Sequence, residues 1–409
     1  MANLSQKPKD YLTQDQYKTR TETVRLLLDR WQFTPKTELL PIGCTVGRVS
    51  AADIFSRNTL PVCRAAGADG VAVRYADFET GLPDFSSWKE SVDYVSADMG
   101  DDFDDAFDTV LFVEEFTFDE NGKILAIAPE NPVQRGQLVH QKGSALQTGE
   151  CVLKSGAVIT PFHLGLLAAA GIGEVQVLGR PKITFIPTGS ELIPAGHTPA
   201  RGQNIETNSL MAATLGARWG AQVDCLPVIA DRREDLEKAL NNALAVSDIV
   251  LLNGGTSMGT EDFTAALLQG QSSYFRHGVR CIPGLPVATA IIAGKPVVNL
   301  PGPPYAAFCA LDWCVRALVY HWHGLPLPVR RKITAILKKP VQKPPFHEMY
   351  VRMNVCENAK DGYAATPLPR EVRIAEAAER WNGWFIAPIG QNLWEAGCEV
   401  DVELLYTDC

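Results

Sequence analysis

The chain has 409 residues, with 47 Asp and Glu against 38 Lys and Arg, a formal charge of -9 and a sequence pI near 5.4. It is too long for one ordinary core, so roughly two to four domains are expected, and its acidic balance excludes general binding to a nucleic acid backbone. Hydrophobic content of 46% and mean hydropathy of -0.03 are those of a folded globular chain; with no signal-like N-terminal core and no bilayer-length apolar run, a soluble cytoplasmic protein with no membrane partner is expected.

Residues Tyr17 to Trp31 read as a helix with Val24, Leu27 and Leu28 on one face. After Val46 to Ala52 come short alternating runs, Val71-Val73-Tyr75 and the looser Val110-Phe112-Val113, with turn signals at Pro132 and Gly136; these predict a small β-rich domain. Between them lies an acidic stretch holding Asp98, Asp101, Asp102, Asp104, Asp105 and Asp108. Its spacing lacks the central Gly and terminal Glu of a calcium loop, and it reads as an exposed loop. Thr160 caps a helix beginning at Pro161, Gly171 and Gly173 end it, and Glu174 to Leu178 is a strand before a boundary at Gly179-Arg180-Pro181. The 10 Cys show no C-x-x-C pair and no zinc-type Cys/His cluster, which fits small core fillers in a reducing compartment.

From Lys182 strands and helices alternate. Ile183 to Ile186, Val223 to Ile229, Asp248 to Leu252, Ala288 to Ile292 and Val297 to Leu300 are strands. Helices follow Thr207 or Asn208, Asp231 and Glu261, and a long apolar one runs from Pro303 to Trp322. Asp231 with Glu234 has the spacing of a capping box. This alternation predicts an α/β domain with a mostly parallel sheet covered on both faces. Beyond Arg330, Ile333 to Leu337, Tyr350 to Val355 and Val400 to Leu405 predict a small β domain.

Ligands of open parallel sheets bind beyond the carboxyl ends of the strands. There the chain places Thr188-Gly189-Ser190-Glu191, then Gly254-Gly255-Thr256-Ser257-Met258-Gly259 with Glu261 and Asp262 behind, then Pro301-Gly302. Glycines expose backbone N–H groups to an anion, and Thr256 and Ser257 either donate hydroxyls or cap the following helix. Neither a G-x-x-x-x-G-K-[ST] loop nor a G-x-G-x-x-G fingerprint is present, so an ATP-hydrolysing or dinucleotide site has no support. Glu191, Asp231 and Asp262 are carboxylates able to hold a divalent cation against phosphate oxygens, with Asp231 also readable as a helix cap. Asp69-Gly70 alone reads as a turn.

TGSEL at Thr188 to Leu192, GGTSMGTED at Gly254 to Asp262 and LPGPP at Leu300 to Pro304 resemble the molybdopterin molybdenumtransferase family, to which the gephyrin E domain belongs. GRVSAADI at Gly47 to Ile54, ADGVAVR at Ala68 to Arg74 and EAGCEVDVELL at Glu395 to Leu405 extend the resemblance over nearly the whole chain. It implies an elongated homodimer with a four-part protomer: residues 1–45 plus 146–180 as a mixed helical part, 46–145 as a β-rich insertion, 181–326 as a three-layer α/β/α pterin-binding part and 327–409 as a small β barrel. It implies insertion of molybdate or tungstate into adenylylated molybdopterin, with Mg2+ and release of AMP. The molybdopterin adenylyltransferase and cofactor-accepting enzymes are the implied partners. Asp69, Glu191, Asp231 and Asp262 match the family's acidic positions, Asp69 reaching across the dimer cleft, and Ser257 matches the serine of its glycine-rich loop. Thr188, Gly189, Gly254, Gly255, Thr256, Ser257, Gly259, Pro301 and Gly302 would contact the ligand, with Glu191, Asp231 and Asp262 on the metal.

The chain also departs from the family. Lys-Pro-Gly-Lys-Pro stands here as Ile282-Pro283-Gly284-Leu285-Pro286, removing two cations that would face the anionic ligand. Gly-Glu-Asp-Ile becomes Gly143-Ser144-Ala145-Leu146, Pro303 replaces an Asn, and a Ser-rich loop is missing around Leu368 to Ile374. Arg280, His277 and Arg352 are the candidates to restore charge. The leading expectation is therefore metal insertion into molybdopterin. The alternative is a non-catalytic or retargeted relative that binds or carries the pterin or completed cofactor, and an assembly scaffold is a third class.

Overall fold

The computed structural model describes residues 17–130, 132–254, 263–358 and 362–405. The chain divides into an inserted unit, Thr37–Leu178, and an outer unit formed by the segments on either side of it. In the outer unit, helix α1 (Arg20–Leu28) starts later than its apolar pattern predicts, because Thr19 forms a capping box with Glu22. Tyr17 lies outside the helix and fills the space a side chain would need at Gly278. Leu27 and Trp31 are buried in the main core of the outer unit, so this helix packs with the large sheet.

The inserted unit opens with β1 (Thr37–Pro41). Its β-rich part is an antiparallel trio with β2 (Gly70–Val73) in the middle, between β3 (Tyr94–Ala97) and β4 (Thr109–Phe112). An aromatic core of Phe78, Phe85, Trp88 and Tyr94 covers one side of it. The acidic stretch is largely exposed, apart from buried Phe103 and Phe107. One of its carboxylates is structural: Asp108 accepts from Tyr75 N at 2.7 Å and Arg135 Nε at 3.1 Å. Helix α2 (Pro161–Ala169) has the predicted Thr160 cap, reinforced by His163. Strand β5 (Glu174–Leu178) then returns to pair antiparallel with β1, Thr37 opposite Leu178.

The large sheet of the outer unit comes from β6 (Lys182–Pro187), α3 (Asn208–Arg218), β7 (Gln222–Cys225), α4 (Arg233–Val246), β8 (Ile249–Asn253), α5 (Phe263–Gln271) and β9 (Tyr274–His277). A short β10 (Cys281–Ile282), β11 (Ala288–Ile292), β12 (Lys295–Leu300), α6 (Pro304–Ala310) and α7 (Arg316–Trp322) follow. Strand order is β7-β6-β8-β12-β11-β9. The first four strands are parallel, and the tight turn at Gly294 makes β11 antiparallel to β12, as β9 is to β11. Ile183, Phe185, Leu251 and Val298 pack toward α1, α3, α6 and α7, whereas Ile186, Val250, Leu252 and Val297 pack toward α4 and α5. Successive strand residues point to opposite faces, so unbroken apolar runs are what such burial requires.

Two predicted caps are corrected. Helix α4 has Arg232 at its cap position with no side-chain bond, and Asp231 instead pairs with Ser190. Helix α3 has Thr207 at the cap position, but Thr207 makes no cap bond either. Its terminal N–H groups, on Asn208 and Ser209, are taken by Glu206 at 2.8 and 3.0 Å. The long apolar helix is two α segments joined by a π-helical turn, Leu311–Val315. That turn carries buried Asp312, which accepts from Arg330 Nη1 at 3.0 Å.

The chain ends in β13 (Lys332–Leu337), β14 (Glu348–Asn358), β15 (Gly362–Pro367), helix α8 (Ile374–Arg380), β16 (Gly383–Ala387) and β17 (Glu399–Leu404). Pairing runs β14-β15-β13-β17-β16 and back to β14, closing a five-stranded barrel without free edges. Strand β10 adds to the barrel beside β14, and Tyr350 and Trp384 share the core of the large sheet. Arg20 of α1 is fastened to Glu348 of β14 at 2.8 Å.

Candidate functional site

Strand β6 ends just before Thr188, β8 and β12 end in Asn253 and Leu300, and one amide pair binds those ends together. Asn253, 2% exposed, accepts from Asn208 Nδ2 at 2.8 Å and donates to the Pro301 carbonyl at 2.8 Å. Asn208 Nδ2 also reaches the Gly302 carbonyl at 2.8 Å, and Thr188 N donates to Asn253 O at 2.8 Å. Buried amides must be satisfied, and here the partners are the loop carbonyls themselves. Gly254 follows with φ +114°, where a Cβ would stand 2.5 Å from Thr188 O, so only glycine fits between these loops.

Around them opens a cleft of about 1710 Å³, lined by residues between Thr188 and Ile374. Most small-ligand sites span roughly 300–1,000 Å³, so an extended ligand fits. Thr188, Gly189, Glu191, Asp231, Gly254, Pro301, Gly302 and Arg352 line it together, as does Glu206, which sequence reasoning missed. The largely apolar side chains of Ile282, Leu285, Tyr305 and Met349 line it as well. Burial pushes the Cys281 thiol beneath it up to about 12 and the Tyr305 phenol well above its usual value, so both stay neutral at pH 7.

The Glu191 carboxylate folds back within 3.0 Å of the Cβ position of Gly189. Asp231 Oδ2 accepts from Ser190 N at 3.2 Å and Asp231 N donates to Ser190 Oγ at 3.3 Å, which fastens the two loops. Oxygen donors of this kind suit a hard cation such as Mg2+, which takes one or two carboxylates and keeps its waters. Among the described residues, no three His, Cys, Asp or Glu side chains converge as a metal shell. Gly255, Thr256, Ser257, Gly259 and Asp262 lie outside the described residues.

The predicted cations fall differently. Arg280 does not line the cleft; its Nε donates to Phe346 O at 2.8 Å. Arg352 lines the cleft, but its guanidinium lies 4.5 Å over the Tyr305 ring and donates to Pro369 O at 3.1 Å and Arg370 O at 2.8 Å. In the inserted unit Asp69 is exposed and accepts from Met99 N at 2.7 Å. Gly70 is no turn residue: it begins β2, pressed against the Leu111 carbonyl.

Residues 17–171 match the model of the MoeA N-terminal region (domain I and II), and residues 184–321 match that of a probable molybdopterin binding domain. The fold is shared with the molybdopterin biosynthesis MoeA protein of Pyrococcus horikoshii, at a TM-score of 0.75 and 24% identity over 95% of this chain and 100% of that one. The protein is thus of the MoeA-like fold class, mixed α/β with a closed barrel. The molybdopterin molybdenumtransferase of Haemophilus influenzae is 28% identical over 360 residues, 84% of this chain and 82% of its own. That of Bacillus subtilis is 25% identical over 396 residues, 92% and 91% of the two chains. The chain belongs to the molybdopterin molybdenumtransferase family of molybdenum cofactor biosynthesis.

Proposed function

We propose that the cleft binds adenylylated molybdopterin, and that the protein inserts molybdate or tungstate at the dithiolene and releases AMP. The observation that carries this reading is the cleft at the ends of β6, β8 and β12, whose strand-end loops belong to the segment that matches a probable molybdopterin binding domain. The Asn208–Asn253 pair holds the loops rigid, so ligand contacts are made without reordering them. Glu191 and Asp231, with Asp262, would hold Mg2+. Mg2+ held there would supply charge neutralisation at the phosphoanhydride, which water would cleave to release AMP. Glu206 takes no part in that shell, because α3 already uses its carboxylate. Asp69 acts from the second subunit of a cytoplasmic homodimer with four-part protomers. The adenylyltransferase supplies the substrate and cofactor-accepting enzymes take the product.

AMP release by the purified protein with adenylylated molybdopterin, Mg2+ and molybdate or tungstate tests this. Oxyanion-dependent release is expected, falling roughly 100-fold or more in Asp69→Ala and Glu191→Ala. The apolar side chains of Ile282 and Leu285 favour a second reading, a carrier of the pterin or finished cofactor. Tight binding with no AMP release in any condition would establish the carrier and rule out the transferase.

A further inference from the structure

Three carboxylates, Glu191, Glu206 and Asp231, line the cleft against two guanidiniums, Arg352 and Arg370. A dianionic phosphate or metal oxyanion entering this space meets net negative charge unless a cation turns toward it. Ile282 and Leu285 cannot supply one. Arg352 is held in place, with Nη2 shared between two carbonyls and its guanidinium 4.5 Å over the Tyr305 ring. Among the described cleft residues this leaves Arg370, exposed and without a side-chain hydrogen bond or ion pair.

The loop that bears Arg370 is not loose. Arg352 clamps it at the Pro369 and Arg370 carbonyls, and Leu368 N donates back to Arg352 O at 2.9 Å. The short segment between β15 and α8 is thus pinned on both sides of Pro369, and the Arg370 side chain is its free end. We propose that Arg370 is the oxyanion-binding cation of this cleft, and that Arg352 is a positioning residue that presents it. The inference rests on reading the cleft as a site for an anionic ligand. The group bound is a dianionic tetrahedral oxyanion, either the phosphate ester of the ligand or free molybdate. An arginine fork matches such a group with two parallel N–H donors.

Calorimetric titration of the full-length protein with sodium molybdate, and separately with AMP as phosphate monoester, tests the assignment in wild type, Arg370→Ala and Arg370→Lys. Loss of one charge-assisted contact weakens binding roughly 10- to 100-fold in Arg370→Ala, with most of it regained in Arg370→Lys. The salt dependence of binding also becomes shallower in Arg370→Ala, which a loop rearrangement alone would not produce. The probe that loses affinity identifies the group: molybdate for the metal oxyanion, AMP for the phosphate ester. Equal affinity of wild type and Arg370→Ala for both probes overturns the assignment while leaving AMP release, measured independently, to decide the transferase reading. Absence of binding of either probe to the wild type overturns it as well.

Discussion

A Cβ placed on Gly70 would stand 2.1 Å from the Leu111 carbonyl oxygen, inside the pairing of β2 with β4. No rotamer relieves that clash, because the obstacle is backbone; the strands must part. Its neighbour Asp69 is exposed and gives up one hydrogen bond, from Met99 N, when truncated. The dipeptide therefore separates fold from chemistry. Gly70→Ala is expected to destabilise the inserted unit by about 2–4 kcal/mol, visible as an earlier calorimetric transition. Asp69→Ala is expected to cost about 1 kcal/mol or less while lowering AMP release roughly 100-fold or more. A Gly70→Ala protein as stable as wild type would show that β2 and β4 are not held this close. From sequence alone the pair reads as a turn, because its cause, a carbonyl 41 positions away in the numbering from Gly70 to Leu111, is not local.

Among the elements, those governed by local chemistry were legible. Thr160-Pro161 starts α2, the apolar runs of β6, β8 and β12 are buried strands, and the loops after them line one cleft. What escaped depends on partners distant in sequence or on unusual geometry. Glu206 caps α3 from outside the S/T-x-x-E spacing, β15 and β16 acquire strand character by completing the barrel, and Arg352 spends its charge on backbone carbonyls. The barrel also carries a titration that follows from its packing. His347 is buried, its Nδ1 has no hydrogen-bond partner, and its pKa is held below 6.5 by burial and by the cations Arg280 and Lys343. A folded-state value below the unfolded one means that the unfolded chain binds the proton first. The stability this contributes is present above pH 6.5 and is lost as pH falls toward the folded value. Urea midpoints measured between pH 7.5 and 5 should therefore fall less steeply in His347→Gln than in wild type; parallel curves would contradict this burial.

For the molecule as a whole, the inserted unit and the cleft can be separated. The described residues that line the cleft lie between Thr188 and Ile374, and none of these belongs to the inserted unit. The insertion leaves and re-enters the outer unit at nearly one point: Gly179 N donates to Lys36 O at 2.7 Å, and pairing of β1 with β5 begins at once with Thr37 opposite Leu178. Ends this close are what make an inserted domain removable, because a few residues of link span them without strain. The inserted unit has apolar cores of its own, and α1, although it precedes the insertion in the chain, belongs to the core of the large sheet. Replacement of residues 37–178 by a link of about three Gly and Ser residues should thus leave a cooperatively folded outer unit. That protein should bind molybdate or AMP within about threefold of the full chain, since no cleft contact is removed. AMP release should be absent, because Asp69 has gone with the insertion. Folding with retained binding but no turnover would locate recognition in the outer unit and chemistry in its combination with Asp69. Retained turnover would remove Asp69 from the mechanism, and a folded protein that binds neither probe would make the insertion part of the ligand site.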